Sequence, residues 1–128
     1  MQKIITLLLF AVSFNLFSQV QELTDANVKS KLNINDGKIV VVDFYATWCG
    51  PCKIIAPIME EVSKEYSKQV SIYKLNVDKH IFDDQVGIRA MPTLYFYKNG
   101  ILLEQVVGAV SKEKILQVLK KHGLKVAS

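Results

Sequence analysis

Two cysteines stand two residues apart in the run Trp48-Cys49-Gly50-Pro51-Cys52-Lys53, and the chain has no others. Such a pair can staple a loop, supply half of a metal site, or exchange a disulfide. Stapling is a weak reason for it, because closing so short a loop removes little entropy from the unfolded chain. Zinc needs two further ligands at suitable spacing. The only histidines, His80 and His122, lie far from the pair and from each other. The disulfide framework of a small secreted domain needs more cysteines, more widely spread. Redox exchange is the chemistry left standing.

That chemistry runs through a thiolate, so one cysteine must be both acidified and reachable. Cys49 is expected just before a helix, exposed, where unpaired N–H groups and the positive end of the dipole favour an anion. Lys53 adds a nearby positive charge. Cys52, one turn inward, then resolves the mixed disulfide formed with a substrate. Gly50 and Pro51 set the turn, and a proline in the first helical turn forfeits no hydrogen bond.

Four neighbouring features bear on this chemistry. Asp43 interrupts an apolar run, Val41-Val42-Asp43-Phe44. A carboxylate inside a central strand is costly unless paired or protonated. It reads as a base of raised pKa that deprotonates Cys52, against the alternative of a surface residue at a strand bend. Lys74, on the following strand, is an ion-pair partner for it or a solvated lysine. Trp48 is either ordinary core or, beside an exposed sulfur, a lid and docking surface. Met91-Pro92 opens a later strand. The proline is either an edge residue or the site of a cis peptide that sets the Met91 backbone beside the dithiol, ready to pair with an extended substrate.

The elements that must hold these groups follow from the pattern of the chain. Gln21 to Leu23 fits a short edge strand. Thr24 fits an N-cap, with Asp25 in the first turn of a helix to about Leu32. Lys38 to Ala46 is nearly unbroken in apolar, β-branched residues, as in a strand buried on both faces. A helix opens at the cysteines, its apolar stripe formed by Ile54, Ile55, Ile58, Met59, Val62 and Tyr66, with Pro57 expected to kink it. Ser71 to Val77 is the next strand, and Asp78 to Val86 is polar with a short helix. Thr93 to Lys98 and Ile101 to Val107 are strands joined at Asn99-Gly100, a strong hairpin signal. Ser111 caps a last helix that buries Ile115, Leu116 and Leu119. The order β-α-β-α-β-α-β-β-α implies an α/β fold. Its mixed sheet of about five strands has about four helices on its two faces.

With 128 residues, one domain is expected. The first eighteen form a separate object: a basic start at Met1 to Lys3, an apolar stretch from Ile4 to Phe17, then Ser18. This is the layout of a secretory signal with a cut after Ser18. It divides the chain into a leader, 1–18, and a domain, 19–128. The stretch is short for a membrane span, which needs about 20 apolar residues, although an uncleaved anchor and a docked N-terminal helix are further readings. The formal charge of +4 comes from dispersed lysines, and Arg89 is the one arginine. Nothing there resembles a nucleic-acid footprint.

The active-site run Val42-Asp-Phe-Tyr-Ala-Thr-Trp-Cys-Gly-Pro-Cys-Lys53 resembles that of the thioredoxin family. Pro57 is similar to the family's helix proline and Lys74-Leu-Asn-Val-Asp78 to its third-strand motif. Ile88 to Thr93 resembles its cis-proline segment, Lys98-Asn-Gly100 its hairpin, and Val107-Gly-Ala109 its groove glycine. Together these cover the chain from about Gln21 to its end. The resemblance implies a thioredoxin fold and a monomer that reduces disulfides in protein substrates, with no cofactor. Cys49 would be the nucleophile, Cys52 the resolving thiol and Asp43 the proton acceptor, with Lys74 near it. Trp48, Gly50, Pro51, Met91, Pro92 and Gly108 would line the substrate groove. Tyr45 stands where many members carry Trp, and Thr47 where Glu or Pro is commoner.

A leader places this chain outside the cytosol, in a periplasm. There a membrane thiol-electron carrier would have to supply electrons. A cytosolic protein would instead use a thioredoxin reductase. Two other readings stay open: an exported oxidase or isomerase with the same site, and a binding module with an incidental dithiol. Gly-Pro between the cysteines is the family's reducing version. The short stretch between Cys52 and Pro92 leaves no room for the helical insertion of exported dithiol oxidases.

Overall fold

A computed structural model describes residues 20–127 of the chain; the expected leader and its cut lie outside the described residues. Nine elements follow in the expected order. They are β1 (Gln21–Glu22), α1 (Val28–Leu32), β2 (Ile39–Tyr45), α2 (Gly50–Glu65), β3 (Val70–Asn76), α3 (Phe82–Val86), β4 (Thr93–Lys98), β5 (Ile101–Val107) and α4 (Lys112–Lys121). The five strands lie side by side as β1-β3-β2-β4-β5. β3 runs parallel to both β1 and β2, while β4 pairs antiparallel with β2 and with β5. The parallel pairs require helical crossovers; the antiparallel β4–β5 pair needs only the tight turn at Asn99 and Gly100, both at positive φ. No helix of the described residues is long and apolar enough to cross a membrane.

β2 is the middle strand, and six of its seven residues are buried. Its side chains alternate between two cores. Ile39 and Val41 pack with Ile55, Met59 and Val62 of α2, Leu94 and Phe96 of β4, and Ile115, Val118 and Leu119 of α4. Val40, Val42 and Phe44 pack on the other face with Val28 and Leu32 of α1, Phe82 of α3, and Tyr95 and Tyr97. Each large apolar side chain buried this fully contributes about 1.5–3 kcal/mol. By the same alternation Asp43 falls on the face covered by α2.

Three expectations about the elements change. α1 starts at Val28, with Asn27 at its N-cap position. Thr24 does not cap it through its side chain; its carbonyl accepts from Asn27 and Val28 N–H. Asp25 caps a different helix, its carboxylate accepting from the N–H groups of Ile81 and Phe82 at 3.0–3.1 Å at the start of α3. A carboxylate serves orphan donors wherever the fold presents them, and here those donors belong to a remote segment. Ile54, assigned to the buried stripe of α2, is 65% exposed, because only the face carrying Cys52, Ile55, Met59 and Val62 meets the sheet. In α4 the buried positions are Ile115, Val118 and Leu119, with Leu116 half-buried. α2 itself runs through Pro57 as one helix.

Candidate active site

The two cysteines sit where β2 hands over to α2. Cys49 is extended, at φ −81° and ψ 113°, and occupies the N-cap position; Pro51 lies in the first turn. Its sulfur accepts from the Cys52 N–H at 3.2 Å. A sulfur in that position takes one of the donors that the first turn of a helix leaves unpaired, and it lies at the positive end of the α2 dipole. The pair is oxidised: Cys49 and Cys52 form a disulfide with their Cα atoms 5.3 Å apart.

Cys49 was expected to be exposed, and in this oxidised form it is not: Cys49 is 5% and Cys52 4% exposed. Ala46, Tyr45, Val77 and Met91 pack around the pair. The rim around it is open. Trp48 is 67% exposed, and Thr47, Gly50, Pro51 and Ala90 are exposed as well. Lys53 lies exposed on the outer side of α2.

Trp48 is therefore not core. Its indole N–H donates to Asp78 at 2.8 Å, which fixes a largely exposed ring beside the sulfur. Asp78 was not singled out as a site residue. Its signal was its position at the end of the Lys74–Asp78 segment. Asn76, buried at the end of β3, accepts from the Asp78 N–H at 2.9 Å and so sets the turn.

The Met91–Pro92 peptide is cis. The Met91 carbonyl oxygen is 3.6 Å from the Cys49 sulfur. Met91 is half-buried and Pro92 buried. Gly108 closes this side, its N–H donating to the Pro92 carbonyl at 2.8 Å. It does so at φ +97°, a conformation costly for any residue with a Cβ. A Cβ there would meet nothing within 4 Å, so the space above Gly108 is open.

Asp43 is 4% exposed, and one carboxyl oxygen has no hydrogen-bond partner. Burial is the larger influence on it and raises its pKa to about 7; the charge of Lys74 acts the other way. It shares the α2 side of the sheet with Cys52, whose side chain lies on the inner face of that helix. Lys74 is opposite Asp43 in strand register. The expected ion pair does not close: among the described residues Asp43 takes part in no direct ion pair. The Lys74 ammonium instead lies over the Tyr45 ring, 5.6 Å from its centroid. The structure thus brings together Cys49, Cys52, Trp48, Met91, Pro92 and Gly108, with Asp43 on the sheet beneath α2 and Lys74 opposite it in register. Among the described residues no group of His, Cys, Asp and Glu is arranged to hold a metal ion.

Comparison with known proteins agrees with this geometry. The thioredoxin family model matches residues 19–121. The chain is 42% identical over 101 residues to thioredoxin 1 of Synechococcus elongatus, covering 78% of this chain and 94% of that one. It is 42% identical to the thioredoxin of Buchnera aphidicola, with 82% and 97% covered. It is 41% identical to the chloroplastic M-type thioredoxin of spinach, spanning 81% of this chain but 58% of that longer protein. Among solved structures, Malassezia sympodialis thioredoxin superposes with a TM-score of 0.73 at 40% identity, over 80% of this chain and 92% of that one. A cysteine pair at a helix N-terminus, a cis-proline beside it and a family match over residues 19–121 lead to one conclusion: this chain belongs to the thioredoxin family and is a thiol–disulfide oxidoreductase, a protein-disulfide reductase with Cys49 and Cys52 as its redox-active pair.

Proposed function

We propose that the protein is an exported reductase in which Cys49 attacks and Cys52 resolves. The observation that supports this order is the Cys49 sulfur at the α2 N-cap, accepting from the Cys52 N–H. In the reduced protein that donor and the helix dipole favour a thiolate on Cys49. The thiolate attacks one sulfur of a substrate disulfide, forming a mixed disulfide and expelling the first substrate thiolate. Asp43 takes the Cys52 proton, and the Cys52 thiolate attacks the Cys49 sulfur. The second substrate thiolate leaves. Two electrons have passed to the substrate, and the enzyme is left with the Cys49–Cys52 disulfide seen here. A carboxyl poised at about 7 suits the proton transfer, because it is a stronger base than an ordinary carboxylate and still ionises near neutral pH.

The groove around the sulfur suits an extended peptide. The Met91 carbonyl at 3.6 Å is an acceptor for a substrate backbone N–H, and the exposed Trp48 and the open space above Gly108 flank it. Lys74 stays near Asp43 as a source of positive charge. Export rests on the basic, apolar and small-residue sequence of 1–18. Val20, two residues beyond a cut after Ser18, is buried in the core at 4% exposure. In that compartment a membrane thiol-electron carrier would reduce the enzyme.

Insulin reduction by wild type and by Cys49→Ser tests the nucleophile; turnover surviving in the variant would rule it out. Alkylation of the reduced protein across pH should place the Cys49 thiol below the ~8.5 of a free cysteine. A titration like that of a free cysteine would remove the reason for placing Cys49 first. N-terminal sequencing of protein recovered from a periplasmic extract should begin at Gln19; recovery of intact Met1 from the cytosol alone would refute export.

A further inference from the structure

Three charged residues lie in lateral register across the sheet. Glu22 on β1 is opposite Lys74 on β3, and Lys74 is opposite Asp43 on β2. Opposite charges facing each other on neighbouring strands attract, and an amine in register with a buried carboxylate would ordinarily pair with it. The pair remains open. Asp43 Oδ1 is buried without a partner, while the Lys74 ammonium lies over the face of Tyr45. Tyr45 is two residues beyond Asp43 on β2 and so points to the same side of the sheet. Its hydroxyl donates to the Glu22 carboxylate, which ties the ring toward β1. A cation over an aromatic face is attracted by the ring quadrupole. The Glu22 carboxylate at the ring's edge adds a second attraction on the same side.

Among the described residues, the other surroundings of Asp43 offer no competing charge. β4 places Leu94 opposite it. α2 brings Cys52 and apolar residues to this side, and α4 brings Ile115, Val118 and Leu119. Lys74, Glu22 and Tyr45 are therefore the ionisable groups through which its state can be set, apart from the dithiol. We propose that Tyr45, tethered by Glu22, is a positioning residue that holds the Lys74 ammonium away from Asp43 and keeps that carboxyl unpaired behind the dithiol. The arrangement rests on the reading of Asp43 as the proton acceptor for Cys52. A closed Asp43–Lys74 pair would leave a weaker base; an absent lysine would leave a carboxyl slow to ionise. Tyr45 holds the lysine between those extremes.

The test is the titration of the Asp43 carboxyl by carbon-13 NMR in the oxidised full-length protein. Tyr45→Leu removes the ring and the tether together. It should let Lys74 close on Asp43 and lower the titration midpoint by about one pH unit, as opposite charges in contact do. Tyr45→Phe keeps the ring and loses the tether, and should give a smaller fall in the same direction. Both falls should vanish when Lys74→Met is already present. No fall in either variant would overturn the proposal. So would a fall that persists with Lys74→Met, since that marks altered burial rather than a released cation. If Tyr45→Leu does not fold, the cycle of Tyr45→Phe with Lys74→Met decides by itself. The base role is judged separately, by the rate at which Asp43→Asn resolves a mixed disulfide. Unchanged resolution there, together with the expected titration shifts, would discard the base and keep the positioning.

Discussion

Replacing Asp43 by Asn removes a titrating group from the core and leaves its shape almost unchanged. In the unfolded chain this carboxyl loses its proton near 3.8; folded, burial raises that to about 7. Between those values the folded protein holds a proton that the unfolded chain has released. The unfolded state then binds fewer protons, so wild-type stability falls as pH rises, and it stops falling once the folded carboxyl has ionised. Each pH unit of separation corresponds to about 1.4 kcal/mol, so the interval from 3.8 to about 7 amounts to about 4 kcal/mol. Asp43 is 4% exposed, so solvent screening does not reduce this much. Asn carries no such dependence, and it adds a constant offset for its buried amide. The assay is guanidinium unfolding of both oxidised proteins from pH 4 to pH 9. The stability of Asp43→Asn relative to wild type should climb from pH 4 to about 7 and then level off, by up to about 4 kcal/mol. Other titrating groups are common to both proteins and cancel in the difference. A difference that is flat across this range, or that falls with pH, would refute the reasoning that burial controls this carboxyl.

Three further outcomes are expected. Gly108→Ala puts a Cβ on a residue at φ +97°, which should cost about 1–2 kcal/mol by thermal unfolding and slow insulin reduction by weakening the tie to Pro92; an unchanged melting temperature would count against that strain. Ser111→Ala removes the side chain that accepts from the Lys114 N–H at the start of α4, and should destabilise the protein by about 1 kcal/mol without altering activity. Trp48→Phe keeps an aromatic ring and loses the bond to Asp78, so KM for a protein substrate should rise while the acidity of Cys49 in an alkylation titration stays as in wild type; a moved Cys49 titration would show that Trp48 acts on the sulfur itself.

The pattern of residues along the chain was enough for the element order, the mixed sheet, the hairpin and the dithiol at a helix start. Each of these is a local property. β2 is apolar because both of its faces are covered, Asn99-Gly100 turns because its residues tolerate positive φ, and Ser111 caps because its hydroxyl reaches the Lys114 N–H. Asp43 could be picked out because one carboxyl in an apolar strand conflicts with its neighbours. What failed were choices among partners. Asp25 has a cap's chemistry, yet the donors it serves lie at Ile81 and Phe82. Ile54 is as apolar as Ile55, and only the contact of α2 with the sheet separates the exposed one from the buried one. Asp43 and Lys74 are complementary in charge, yet the lysine's ammonium lies over the ring of Tyr45. Local backbone preference and hydrophobic period act between neighbours in sequence and are legible there. Competition for one cation, one helix end or one buried face is settled among residues that meet only in three dimensions.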